Sequence, residues 1–257
     1  MKRILILLLP VFTGIISYSQ IQTGYSYSMA IPVGRLAENI NLTHSAVFDV
    51  LYKFHSAPKL RTGVQFGWGT YAHKKEDQHY VFRDGSTTDV KVNFSSNVFN
   101  GHLVAAYDLL SKGGLIPYVT VKTGVSKFYT KIYIPDPNES GNCRPLENKN
   151  VFKDATWSAG GGAGARMNAN SIFKKSKSNR LWFDFSVNYL TGGNVEYLNV
   201  KHLEHEHTDG TGQNAKDFNV RFVNVTTNEL HEHHVSKVLN SRINQIDMKV
   251  GAVLSFN

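Results

Sequence analysis

The chain has 257 residues, a formal net charge of +8 and a single cysteine, Cys143. One thiol excludes an internal disulfide framework. Mean hydropathy is −0.27, and no run of about 18 apolar residues occurs, which excludes a helical membrane protein. The basic excess lies in the connections and forms no patterned face with interleaved aromatics, so nucleic acid is excluded as a partner.

Residues 1–19 read as a secretory signal peptide. Lys2 and Arg3 form the positive start, Ile4 to Ile16 the apolar stretch, and Ser17-Tyr18-Ser19 the small-x-small cleavage pattern. Cleavage after Ser19 leaves Gln20 first, and no cysteine follows that would carry a lipid anchor. Residues 20–257 are expected to form one domain, in which residue class alternates strictly with period two. That alternation puts successive side chains on opposite faces of a strand.

Eight such stretches follow in order. From Ile21 to Val33 the apolar set Ile21, Tyr25, Tyr27, Met29 and Ile31 alternates with Gln22, Gly24, Ser26 and Ser28. Phe48, Val50 and Tyr52 then oppose Asp49 and Lys53, and Leu60, Val64, Phe66 and Trp68 oppose Arg61, Gly63, Gln65 and Gly67. Phe99, Leu103 and Tyr107 oppose Asn100, His102 and Asp108, while Val119, Val121 and Val125 oppose Thr120, Lys122, Gly124 and Ser126. The glycine-rich stretch from Trp157 to Met167 sets Ala159, Ala163 and Ala165 against Ser158, Gly160, Gly162, Gly164 and Arg166. Leu181, Phe183, Phe185, Val187 and Tyr189 oppose Asp184, Ser186 and Asn188, and Ile246, Met248, Val250, Leu254 and Phe256 oppose Asp247, Lys249, Gly251 and Ser255.

A solvated sheet face would carry many more Lys and Glu; here the polar face is rich in glycine and serine, as suits a narrow lumen. The apolar face has aromatics near the stretch ends, as lipid-facing strands do at the two interfaces. The expected fold is therefore all-β: an eight-stranded antiparallel up-and-down transmembrane β-barrel with long extracellular loops. Connections at 55–58, 111–114 and 168–180 alternate with longer ones at 35–44, 74–91, 136–155 and 191–241, the asymmetry of outer-membrane barrels. Eight strands leave a lumen that side chains fill, so the inward Asp49, Lys53, Arg61, His102, Asp108, Lys122, Arg166, Asp184, Asp247 and Lys249 are expected to pair with one another.

The segment 191–241 is rich in histidine: His202, His205 and His207 in KHLEHEH, and His231, His233 and His234 in LHEHH, with Glu204, Glu206, Glu229 and Glu232 among them. Neutral imidazoles beside carboxylates suit Zn²⁺, Cu²⁺ or Ni²⁺, which makes these six histidines candidate metal ligands, although the spacing matches no recognised site. A polar solvated loop and a pH-sensitive surface are the alternatives. Phe218 to Val225 reads as an extra strand, so a hairpin above the membrane is expected to bring the two clusters face to face. His73, Asp77, His79 and Ser126 form a Ser/His/acid set only on paper, with no sequential motif behind it.

Several segments resemble the outer-membrane β-barrel families of Bacteroidetes, related broadly to OmpA-like and opacity-protein-like barrels. LIPYVTVKTGVS, WSAGGGAGARM and the terminal MKVGAVLSFN carry the likeness, the last resembling a closing strand read by the barrel-assembly machinery, although Asn257 follows the aromatic Phe256. The resemblance implies fold and a location in the outer membrane, with membrane lipid and the assembly machinery as partners, and transfers no catalytic residue. The expected function is a non-enzymatic barrel whose loops bind a surface ligand, an envelope protein or a metal, with no other cofactor. A barrel hydrolase or lipid-modifying enzyme and a passive structural barrel are the alternatives.

Overall fold

The computed structural model describes residues 20–81, 87–135, 147–172, 180–202, 216–223 and 230–256. The strands are β1 (Gln20–Pro32), β2 (Thr43–Lys53), β3 (Leu60–Val81), β4 (Thr87–Asp108), β5 (Leu115–Ile134), β6 (Glu147–Asn168), β7 (Leu181–Tyr197), β8 (Lys216–Val223) and β9 (Leu230–Phe256). Two short helices, α1 (Arg35–Asn39) and α2 (Ala169–Ile172), sit in the connections. All pairings are antiparallel between neighbours, and β1 closes on β9 from Ile21↔Phe256 to Pro32↔Gln245. Since β8 pairs only with β9, the ring consists of β1 to β7 plus β9, the eight strands expected.

Within the lower part of the ring the faces are as the alternation predicts. Tyr25, Phe48, Trp68, Leu103, Val121, Val125, Trp157, Phe185 and Val250 point outward and are exposed, whereas Gln22, Ser26, Asp49, Arg61, Gln65, His102, Asp108, Lys122, Arg166 and Asp184 are buried inside. The outer apolar run spans about ten residues per strand, from Leu115 to Val125 on β5 and from Leu60 to Trp68 on β3. With strands tilted near 40° that gives a belt about 25 Å tall, the thickness of a membrane hydrocarbon layer.

The strands do not stop at the belt. β3, β4 and β6 have 22 residues each and β9 has 27, roughly twice what a spanning strand needs. Segments 74–81, 87–91, 147–155, 191–197 and 230–241, expected as loop, are strand instead. The reason is an inversion of the two faces. Above the belt, Lys91, Asn93, Ser95, Asn97, Lys127, Tyr129 and Lys153 point out, while Val92, Phe94, Val98, Phe128, Ile132 and Ile134 point in and are buried. The backbone continues unbroken; only the solvent outside changes, from lipid to water, and the side chains follow it.

The upper interior is thus an ordinary apolar core. Leu36 and Ile40 of the α1 segment, Tyr71, Ala72, Val195, Tyr197, Leu198, Val200 and Ile243 complete it. Above Gly192, β7 leaves β6 but stays paired with β9, so its end turns into the barrel mouth. The following single turn of 3-10 helix, Val200–His202, packs across the mouth against β3, β4 and β9.

Candidate functional site

Two interiors are stacked along the barrel axis, and their chemistries differ. In the lower one, four aspartates face four cations. Near the short-loop end Asp108 accepts from Arg61 at 2.8 Å and also pairs with Arg166. Midway, Lys249 lies 3.0 Å from Asp49 and 3.3 Å from Asp184, Gln65 donates to Asp49 at 2.6 Å, and Tyr118 donates to Asp184 at 2.8 Å. Higher still, Lys122 bonds Asp247 at 2.5 Å, and Ser28 donates to the same carboxylate. Eight of the ten inward residues read from the alternation therefore pair, which is what makes them tolerable away from water, while His102 bonds Ser158 and Lys53 lines the short-loop mouth. What remains between them is a cavity of about 30 Å³ lined by Asp49, Arg61, Lys122, Asp184 and Lys249, room for about one water and no aqueous channel.

Glycine makes this packing possible at close quarters. A Cβ at Gly124 or Gly162 would lie 2.0 Å from a carbonyl oxygen of the neighbouring strand, that of Gly101 or Val187. At Gly164 it would meet the Tyr118 ring, which its cross-strand partner lays over the bare backbone.

The upper interior is joined by hydrogen bonds at its centre. Tyr71 and Ser96 both donate to the Leu198 carbonyl, at 2.9 and 2.8 Å, and the hydroxyls of Tyr197 and Ser241 are 2.9 Å apart. Burial pushes the Tyr71 and Tyr197 phenols up from their ordinary value, so both hold their protons. Where β7 has parted from β6, Asp154 of β6 accepts from the Glu196 amide at 2.8 Å and closes the slit.

The candidate histidines are placed as follows. His202 ends the 3-10 turn, while His205 and His207 lie outside the described residues. His231, His233 and His234 are on β9, opposite Phe222, Val220 and Asn219 of β8. The extra strand expected at 218–225 is present as β8, paired with β9, and residues 203–215 lie outside the described residues. Among the described residues no group of three or more His, Cys, Asp or Glu converges as a metal site would.

The paper set of Ser/His/acid residues is not assembled. His73 and Asp77 are exposed on the outer wall of β3, whereas Ser126 is buried in the lumen, 2.8 Å from Ser158. His102, missed as a serine partner because its neighbour lies two strands further along the sequence, has Nε2 2.8 Å from Ser158 Oγ. Among the described residues its Nδ1 has no partner, so no carboxylate there orients the ring as a catalytic imidazole requires.

The deciding observation is the exposed apolar belt around a closed ring with a polar, ion-paired inside. The chain is an outer-membrane β-barrel. No family model matches the sequence, and no curated protein matches it either. Among solved structures it is similar to Neisserial surface protein A, at 10% identity over 93% of this chain and 97% of that one, with a TM-score of 0.42. It is also similar to Ail, the attachment invasion locus protein of Yersinia pestis, in complex with the heparin analogue sucrose octasulfate (10% identity, 93% and 97% covered, TM-score 0.36). A third is the outer membrane protease OmpT of Escherichia coli (7% identity, 93% and 96% covered, TM-score 0.37). Likenesses this weak assign no activity to the chain.

Proposed function

We propose that this barrel is a non-enzymatic display protein whose extracellular end binds an anionic partner, either a surface ligand or a neighbouring envelope protein. The observation that carries this reading is the inverted upper half of the barrel. An apolar core fills its mouth, which leaves solute no path, while strand continuity lifts a rigid wall beyond the membrane. That wall carries Lys75, Lys91, Lys127, Lys131 and Lys153 beside Tyr129 and Tyr133, against Asp77 and Asp89. A surplus of lysine with interleaved tyrosine favours negatively charged groups on a partner. The motifs shared with Bacteroidetes barrels support an origin among them, and the signal-like residues 1–19 support export by cleavage after Ser19.

Two measurements test the display reading. In planar bilayers the purified barrel is expected to give no discrete conductance steps; steps that persist at physiological salt overturn it. Binding to dextran sulfate is expected to weaken at least tenfold when Lys127, Lys131 and Lys153 are all changed to Gln, and unchanged binding overturns the anionic partner. A metal role for His202, His205, His207, His231, His233 and His234 belongs to the same extracellular end. Zn²⁺, Cu²⁺ or Ni²⁺ titration of the folded barrel is expected to show binding that replacement of the six histidines by alanine abolishes. Equal binding by the replaced protein removes the metal from the proposal.

A further inference from the structure

The lower ion-pair network balances in number but not in position. Around the centre, Lys249 serves two carboxylates, Asp49 and Asp184. At the short-loop end the ratio is reversed, because Arg61 and Arg166 share Asp108 alone. That end opens into a hollow of about 540 Å³ lined by Lys53, Lys112, Arg166, Trp182, Ser111 and Ser171 among others, with no acidic side chain in its lining among the described residues. The surplus cation therefore faces the periplasm with two more cations beside it.

Arg166 is the informative residue. It is only 3% exposed. One guanidinium nitrogen pairs with Asp108 and another donates to Gln22 at 3.3 Å. Among the described residues its buried Nε–H has no acceptor, and its guanidinium carbon sits 5.2 Å from the centre of the Trp182 ring, which leaves the planar group held in one orientation. A buried donor without an acceptor costs on the order of 1–3 kcal/mol, and a fixed guanidinium edge flanked by lysines is matched by the oxygens of a carboxylate or phosphate.

We infer that the periplasmic mouth of this barrel is a binding site for an oxyanion group, carboxylate or phosphate, held by Arg166, Lys53 and Lys112 beside Trp182. Such groups are presented there by cell-wall peptides and by lipid headgroups respectively. The inference rests on the fold and the lower network, and is independent of the partner proposed for the opposite end.

Trp182 supplies the readout. In a Trp68→Phe, Trp157→Phe background it is the one remaining tryptophan, and the two replaced rings face lipid, so the barrel is expected to fold. The refolded full chain in detergent micelles is titrated with sodium phosphate, sodium acetate and sodium chloride at constant ionic strength. Phosphate, acetate or both are expected to shift Trp182 emission saturably where chloride does not, and the tighter of the two names the source. Lys53→Gln and Lys112→Gln are each expected to weaken that binding about tenfold, with Arg35→Gln, exposed on α1 at the far end, leaving it unchanged. A response that chloride reproduces overturns the site. So does binding that survives undiminished in the Lys53→Gln, Lys112→Gln double variant, a protein whose folding is checked by its unaltered resistance to unfolding in sodium dodecyl sulfate.

Discussion

Strand β5 crosses two environments, and its two halves are mirror images in composition. From Leu115 to Val125 the outward residues are Leu115, Val119, Val121 and Val125, with Thr120, Lys122 and Ser126 turned in. From Lys127 to Ile134 the outward residues are Lys127, Tyr129, Lys131 and Tyr133, with Phe128, Thr130, Ile132 and Ile134 turned in. Parity never slips along the strand. What changes is which face meets water, so a barrel wall is read as membrane or stalk only by asking which of its sides is apolar. The lower half is held by closure and paired charge, the upper half by the burial of apolar area that holds any soluble domain.

That contrast is broken most severely by removing a charge below or a ring above. Asp108→Ala leaves Arg61 and Arg166 without their carboxylate and is expected to destabilise the whole barrel by about 3–5 kcal/mol, measured by urea unfolding from lipid vesicles. Phe128→Ala opens a void against Tyr71 and Tyr197, whose ring centres lie 5.7 and 5.8 Å away. The expected loss is about 3 kcal/mol, expressed locally: protease is expected to cut the upper strands while the spanning part keeps its folded migration in gels. If both parts fail together, the two halves are one cooperative unit and not two separable ones.

The sequence disclosed the lower half almost completely, because lipid outside and a small lumen inside leave little freedom: outward valine and inward glycine or serine must alternate. It also disclosed which charges face inward, though the partners, such as Lys122 with Asp247 across the lumen, depend on register and tilt that alternation does not encode. The upper half stayed hidden at the switch itself. At Val125-Ser126-Lys127-Phe128 and at Asn97-Val98-Phe99, residues of one class fall side by side, and two adjacent polar or two adjacent apolar residues look like a strand end. At Tyr71 a bulge between Thr70 and Ala72 adds a residue and disturbs the period as well. Of the proposed periplasmic site only the inward direction of Lys53 and Arg166 was legible, since the unpaired Nε of Arg166 and its hollow exist in three dimensions alone.

A smaller effect sharpens the same comparison on one strand. Val121→Lys, near the middle of the lipid belt, is expected to cost about 2–4 kcal/mol. Tyr129→Lys, eight residues further on with the same outward parity, is expected to change stability by less than about 0.5 kcal/mol. Equal costs in vesicle unfolding would mean that the belt reaches above Lys127, which would move the lysine wall into the membrane and remove its role in binding.

A finer test concerns the Leu198 carbonyl, the point where the plug is fastened to the wall. Two hydroxyls donate to it, from Tyr71 on β3 and Ser96 on β4, so either alone keeps the oxygen satisfied. Tyr71→Phe and Ser96→Ala are each expected to cost about 0.5–1.5 kcal/mol. The double variant is expected to cost more than their sum, because the buried oxygen then loses its last donor, and that excess is the coupling between the two sites. Amide exchange at Val195 to Val200 reports it directly: protection falls modestly in each single variant and steeply in the double. Additive losses would mean that water reaches Leu198 from above, and an apolar seal over the mouth does not admit water.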